Sequence, residues 1–273
     1  GGATSYALLS YFGKANYAYD NRYLASVTLR YDGSSRFGKN NRFGTFPAFS
    51  LGYRISEEAY MEKTREWLSD LKLRFGWGQT GNQETANTAV HTLYVTDYGM
   101  GDPTWTSLNG TSYDLTGKGG TSLPSGYKKV QQGNPDLKWE TTTQTNIGLD
   151  FGFFDQKLYG TAEYYIKKTK DILVQPPYLG IIGEGGYCWY NGASMENKGF
   201  EVSLGYRDQT PFGLSYDISG NISGYRNKVT KLPSDVENSY GGNGKGDNIL
   251  GRPINSFYGY IADGLFRTEE DIA

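Results

Sequence analysis

Asp70-Leu71-Lys72-Leu73-Arg74-Phe75-Gly76-Trp77 places an apolar residue at every second position and a charged or small one between. Successive side chains of a strand point to opposite faces. The segment therefore predicts a strand with one apolar face, Leu71, Leu73, Phe75 and Trp77, and one charged face, Asp70, Lys72 and Arg74. Tyr23, Ala25, Val27, Leu29 and Tyr31 alternate in the same way with Ser26, Thr28 and Arg30, and Phe200, Val202, Leu204 and Tyr206 with Glu201, Ser203 and Arg207. Segments of about ten residues with this period and tyrosines at their ends predict an all-β fold, a transmembrane antiparallel β-barrel.

Composition narrows the alternatives. A mean hydropathy of −0.59 resembles that of a soluble protein, but half of every barrel strand faces water, so the average is uninformative. No run of about 18 apolar residues exists, which excludes a transmembrane helix. Aromatic residues make up 15% of the chain, led by 24 Tyr, and such rings suit a membrane interface. With 38 Gly and 9 Pro, the punctuation is that of β-turns. A net charge of −2 gives no basic field for nucleic acid. A single cysteine, Cys188, excludes an internal disulfide and a thiolate metal cluster, and reads as a buried or loop thiol. Lone His91 cannot build a multi-histidine zinc site and reads as an exposed loop residue. No cofactor is expected.

Nine strands are predicted, over 5–19, 22–31, 44–54, 69–79, 139–151, 157–168, 195–207, 214–226 and 256–266, with a turn or two of helix over 58–67. The joins after strands one, five and seven are short, and those after two, four, six and eight are longer. Outer-membrane barrels keep short turns on the periplasmic side, so 80–134, 169–194 and 227–255 are expected outside the cell. The join at 55–68 is the longer exception on the periplasmic side. An odd strand count leaves edges unpaired in lipid, where unsatisfied backbone groups are costly. The chain opens Gly1-Gly2-Ala3-Thr4 with no leader pattern and ends Glu270-Asp271-Ile272-Ala273. It is expected to be an internal part of something larger, closed by the remainder of the same barrel or another chain.

Several long motifs carry a resemblance. They are Arg30-Tyr31-Asp32-Gly33-Ser34-Ser35-Arg36-Phe37-Gly38, Phe46-Pro47-Ala48-Phe49-Ser50-Leu51-Gly52-Tyr53-Arg54-Ile55-Ser56-Glu57-Glu58, the run from Leu68 to Asn82, and Asn134-Pro135-Asp136-Leu137-Lys138-Trp139-Glu140-Thr141-Thr142. Glu163-Tyr164-Tyr165 to Leu173, Asn191-Gly192-Ala193 to Glu201, and Gly251-Arg252-Pro253-Ile254 to Phe266 follow in order. Together they resemble the C-terminal half of the SusC/RagA family of TonB-dependent outer-membrane transporters, across nearly the whole chain. Segments 85–133 and 234–245 carry none of these motifs and would hold partner or substrate preference. The resemblance implies a plugged barrel of about 22 strands, of which residues 1–273 are a partial C-terminal domain. It implies import of oligosaccharides or peptides with a SusD-like surface lipoprotein as lid. TonB would act through a plug and N-terminal region upstream of Gly1.

No catalytic or metal residues are expected. Asp136 with Glu140, and Glu57 with Glu58, are the carboxylate pairs to weigh as a glycosidase pair, but both fall at loop or turn positions and read as solvated charges. A Ser-His-Asp set around the lone histidine and a phosphate loop are both missing. The glycine-rich 241–247 matches a calcium nonapeptide once only and reads as a loop. Trp105, Tyr113, Tyr127, Tyr187, Trp189 and Tyr190 fall in predicted exterior loops, where they would contact cargo or lid, or pack the loops together. Arg30, Lys72, Arg74, Glu163 and Glu201 are expected to face the lumen, touching cargo or pairing with the plug or one another. A passive porin-type barrel and a soluble β-sandwich glycan-binding module are the competing readings.

Overall fold

The computed structural model describes residues 5–96, 127–175, 187–233 and 249–257. Eight long strands form one antiparallel sheet, in the order β1 (Leu8–Tyr19), β2 (Tyr23–Ser34), β3 (Phe43–Arg54), β4 (Leu68–Asn82), β7 (Glu140–Phe153), β8 (Leu158–Val174), β10 (Tyr190–Gln209) and β11 (Ser215–Lys231). These are the first eight expected strands. The ninth, 256–266, falls outside the described residues except for Ser256 and Phe257, which are not in a strand. The other three, β5 (Leu93–Thr96), β6 (Tyr127–Gln132) and β9 (Tyr187–Cys188), form a small separate sheet, with β6 and β9 parallel.

That small sheet was not expected, because pieces of two to six residues are too short for period-two alternation to register and their pairing is non-local. The helix expected over 58–67 is instead two 3-10 helices, Ile55–Glu57 and Ala59–Thr64. Glu58 between them is extended, with φ −74° and ψ 145°, which interrupts a continuous helical run.

Register converts the alternation of each strand into a property of the whole sheet. Tyr17, Ala25, Leu51, Phe75, Ile147, Tyr164, Phe200 and Gly224 fall in one row across the eight strands. The neighbouring row on the other face reads Ala18, Leu24, Gly52, Arg74, Gly148, Glu163, Glu201 and Ser223. One face is thus an apolar belt and the other a small, polar and charged wall. Belt side chains stand open, with Leu51 at 51%, Ile147 at 55% and Ile222 at 63% exposure. A β-sandwich would cover them with a second sheet; among the described residues none does, and hydrocarbon is the solvent that suits them.

The belt has measurable edges. On the apolar face of β10 the charged residues nearest the belt are Lys198 and Asp208, with Phe200, Val202, Leu204 and Tyr206 between them. Ten residues at about 3.3 Å each, tilted by about 40°, span roughly 25 Å, the height of a barrel's hydrocarbon band. Paired rings mark both edges. Tyr23 stacks on Tyr53 at 5.2 Å and Trp67 on Phe153 at 5.9 Å near the short turns, and Tyr31 stacks on Phe43 at 4.9 Å near the long connections. β8, β10 and β11, with 17, 20 and 17 residues, exceed the 9–11 or so that a crossing needs and project beyond the membrane on the long-loop side.

On the short-turn side Asp20 and Asn21, with φ of 49° and 53°, take the left-handed conformation at the centre of the β1–β2 turn, which Arg22 N closes on the Tyr19 carbonyl at 3.0 Å. The longer β3–β4 connection is tied down by Glu58. Its carboxylate accepts hydrogen bonds from Tyr23 Oη at 2.7 Å, Tyr53 Oη at 3.1 Å and Arg22 Nη1 at 3.2 Å. These bonds, that from Tyr23 foremost, hold the Glu58 carboxyl below the ordinary glutamate range. A depressed folded value means that the clamp's stabilisation is complete above the unfolded value of about 4.3 and is lost as pH falls through the lower folded value. In full-length protein, a carbon-13 NMR titration of Glu58 should give a midpoint below about 4.3 that Tyr23→Phe raises. A midpoint at or above the free value would show that the clamp does not form.

Candidate functional site

The polar wall carries an ion-pair network built across three strands. Arg74 on β4 donates from Nε to Asp150 on β7 at 2.9 Å and from Nη1 to Glu163 on β8 at 3.3 Å. Lys72 Nζ lies 3.8 Å from Asp150, and Asn146 donates to Glu163. Arg74 reaches two strands away because its register partner is Gly148; a Cβ there would sit 2.9 Å from Arg74 Nη2. Arg74, Glu163, Asn146 and Gly148 border a concavity of about 520 Å³ that continues along Ser50, Ser26 and Asn16. Glu201 stands exposed beside this network, directly opposite Glu163 on β10.

The five lumen candidates therefore all lie on the polar face, and three of them, Lys72, Arg74 and Glu163, join one network. Arg30 is higher up, 3.1 Å from Asp32. Arg74→Gln removes the cation that two carboxylates share. Their side chains are each 23% exposed, so solvent moderates the effect. The expected cost is about 1–2 kcal/mol, read as a lower denaturation midpoint of the full-length barrel and partly reversed by adding Glu163→Gln. Equal midpoints for wild type and Arg74→Gln would show the network to be energetically idle.

The second zone is a knot on the long-loop side, where the motifs quoted above converge. Phe37, Phe46, Ala89, Leu137 and Trp139 are buried together, with Ala86, Val90, Leu173 and Trp189 packed against them. Trp139 lies between Phe37 and Phe46, each with ring centroids 5.4 Å away, and its Nε1 donates to the Arg42 carbonyl at 3.1 Å. Asn134 turns the chain into the motif: its Oδ1 accepts from Asp136 N at 3.1 Å and its Nδ2 donates to the Trp189 carbonyl at 2.8 Å. Asn191 stitches the other side, bonding the Lys138 amide at 2.9 Å and the carbonyls of Lys138 and Asp171 at 2.8 Å. Buried Arg36 crosses to the segment after β4, donating to Asn87 Oδ1 at 2.8 Å and to the Gln83 carbonyl at 3.2 Å, and its guanidinium rests 4.1 Å over the Tyr6 ring.

Of the carboxylates considered for acid–base chemistry, Glu57, Glu58 and Glu140 have structural partners here. Glu140 accepts from Asn82 and from the Leu173 amide, both at 3.3 Å, and Glu57 lies 3.7 Å from Arg65. His91 is exposed, and its backbone amide and carbonyl bond Thr88 and Gln131. Cys188 is buried. Among the described residues no group of three or more His, Cys, Asp or Glu is placed to hold a metal.

Of the exterior aromatic candidates, Trp189 is half-buried against the knot, where it serves loop packing. Tyr127 is 70% exposed at the start of β6, and Tyr190 38% exposed at the start of β10. Trp105, Tyr113, the side chain of Tyr187 and the glycine-rich 241–247 lie outside the described residues. Sequence reasoning missed Asp150, Asn146 and Gly148 as members of the network on the polar face. The alternation within Thr145 to Phe151 would have put Asn146, Gly148 and Asp150 on the polar face, but only the β4–β7 register brings them to Arg74.

Comparison with known proteins agrees with this architecture. The family model of the TonB dependent receptor-like β-barrel matches residues 1–264. The TonB-dependent receptor SusC of Bacteroides thetaiotaomicron is 37% identical over 275 aligned residues, covering 94% of this chain and 25% of that protein. The TonB-dependent receptor P39 of Formosa agariphila is 33% identical, covering 99% of this chain and 24% of that protein. Among solved structures, the RagAB peptide transporter superposes with a TM-score of 0.70 at 30% identity, over 85% of this chain and 23% of that one. The chain thus spans about a quarter of the length of the curated relatives it matches. Eight membrane-crossing strands, a lipid belt and a lumen wall, matched along nearly their whole length by these proteins, make this chain a member of the SusC/RagA family of TonB-dependent outer-membrane β-barrels.

Proposed function

We propose that residues 1–273 form part of the C-terminal wall of an outer-membrane importer of oligosaccharides or peptides, energised by TonB. The observation that carries this reading is the two-faced sheet, with a lipid belt about 25 Å high backed by an ion-paired lumen wall that runs from β4 to β8. Further strands would pair with the outer edges of β1 and β11, and the plug and TonB-contacting segment would come from the N-terminal side. The knot would set the height and orientation of the exterior loops, making them a platform for a SusD-like lipoprotein lid. Tyr127, Tyr190, Trp105, Tyr113 and Tyr187 are the proposed cargo or lid contacts, and Arg30, Lys72, Arg74, Glu163 and Glu201 line the proposed cargo route. The cycle is lid opening, cargo capture between lid, loops and plug, and TonB-driven rearrangement of the plug. No catalytic step is assigned to any residue.

The test uses the full-length protein in its native membrane. Cells should take up fluorescent oligosaccharides or peptides of one class only while TonB is energised, and the purified barrel should carry a surface lipoprotein with it. Uptake that persists without TonB, together with steady conductance in planar bilayers, would instead establish a passive porin.

A further inference from the structure

Beyond transport, the outward face of the sheet carries a feature that a lipid belt alone does not need. Directly above Tyr164 and Phe200, the same face presents Lys168 on β8, Glu196 and Lys198 on β10, and Arg226 and Lys228 on β11. Register makes them contiguous: Glu196 pairs with both Lys168 and Lys228, and Lys198 lies directly opposite Arg226. Like charges directly opposite each other on one sheet face repel. The single carboxylate, Glu196, is engaged by Lys198 at 2.8 Å and Lys168 at 3.6 Å. Arg226 and Lys228 form no ion pair among the described residues, so the row has an excess of positive charge.

The patch is also shaped. Glu196, Lys198, Arg226 and Lys228 border a concavity of about 690 Å³ floored by Tyr164 and Phe200, which are 47% and 46% exposed. One rim is the segment at Gly251, held to the edge of β11 by Gly251 N to the Val229 carbonyl at 2.8 Å and Val229 N to the Arg252 carbonyl at 2.9 Å. Cations stand at headgroup height and rings at the level where acyl chains begin. An Arg fork beside Lys point charges suits phosphate oxygens, and the rings below suit hydrocarbon.

We propose that this patch docks an anionic, phosphate-bearing amphiphile of the outer leaflet, with the phosphate against Lys198 and Arg226 and an acyl chain along Tyr164 and Phe200. The bound anion would offset the repulsion within the row and fix the depth of the barrel on its β8–β11 side. The inference does not depend on which cargo the transporter carries.

The test uses full-length protein in detergent, with monophosphorylated lipid A and its fully dephosphorylated form as probes, read by native mass spectrometry. Wild type should retain the phosphorylated lipid in preference, with affinity falling as salt rises. Lys198→Gln with Arg226→Gln should weaken that binding at least about tenfold and leave the dephosphorylated lipid unaffected. Glu196→Gln, which keeps every cation, should retain the lipid as tightly or more so and stands in if the double variant fails to fold by heat-shifted gel migration. Equal retention of both lipids, loss of binding in Glu196→Gln, or competition by inorganic phosphate at the lipid's own affinity would each overturn the proposal. So would a double variant that alters the oligomeric state while binding lipid normally, which would identify the face as a contact between copies.

Discussion

Trp139→Ala is expected to loosen the exterior knot by about 3–5 kcal/mol, the range for deleting a large buried aromatic, while leaving the membrane-spanning strands in place. Trp139 is 8% exposed, fills the space between the Phe37 and Phe46 rings, and closes the Arg42 carbonyl with its indole N–H. Its removal opens a cavity and orphans an acceptor at once, and the eight-stranded ladder has no means of collapsing inward to fill the gap. Hydrogen exchange of the full-length protein should rise in 34–42, 83–91 and 134–139, the three segments the knot holds together. The Tyr23–Tyr53 end, on the far side of the belt, should be unchanged. If the lid docks on this platform, cargo uptake falls with it; exchange that rises uniformly through the strands would show that the knot is part of the barrel's global stability.

Gly38→Val tests the same knot through the backbone. A Cβ at Gly38 would meet the Pro135 carbonyl oxygen at 2.1 Å, a contact with main chain that no rotamer change relieves. Phe37, 1% exposed, prevents the loop from swinging away, and Asn41 Nδ2 ties the same loop to the Asp136 carbonyl at 2.9 Å. The expected cost is about 3 kcal/mol, the upper end for overpacking, localised to the β2–β3 and β6–β7 connections. Gly220, with nothing within 4 Å of its Cβ position, is the matched control, and Gly220→Val should be close to neutral. Comparable losses at Gly38 and Gly220 would sink the argument from close approach.

Both variants act on the knot that the family motifs build, whereas Arg74→Gln acts on the polar wall. Asn134 to Trp139, Asp32 to Gly38 and Asn191 to Ala193 are distant in sequence, and the structure brings all three to one knot outside the membrane. Asn134, Trp139 and Asn191 spend their side chains on backbone carbonyls and amides there, which gives these polar residue types a structural role. Arg74 and its partners are spent on one another across the polar face of the sheet.

Strand existence, strand facing and the lipid belt were legible in the amino-acid sequence alone. Alternation of period two is a local property, and a membrane imposes it on every crossing strand regardless of which strand lies beside it. That Arg30, Lys72, Arg74, Glu163 and Glu201 share one face of the sheet followed from that same period. What only the tertiary structure decided is which of these charges meet. The Arg74–Asp150–Glu163 network spans up to 89 residues of sequence, and the Trp139–Arg42 bond spans 97. Contacts of that separation depend on register, and a slip of one residue would reverse every face without changing any local preference. The small β5–β6–β9 sheet was hidden for the same reason: its strands pair with partners far along the chain, and their own few residues carry no period to read. The helical stretch over 58–67 was legible because its bonds are local, but its break at Glu58 was not, since that carboxylate is held by Tyr23 on β2 and Arg22 in the turn before it.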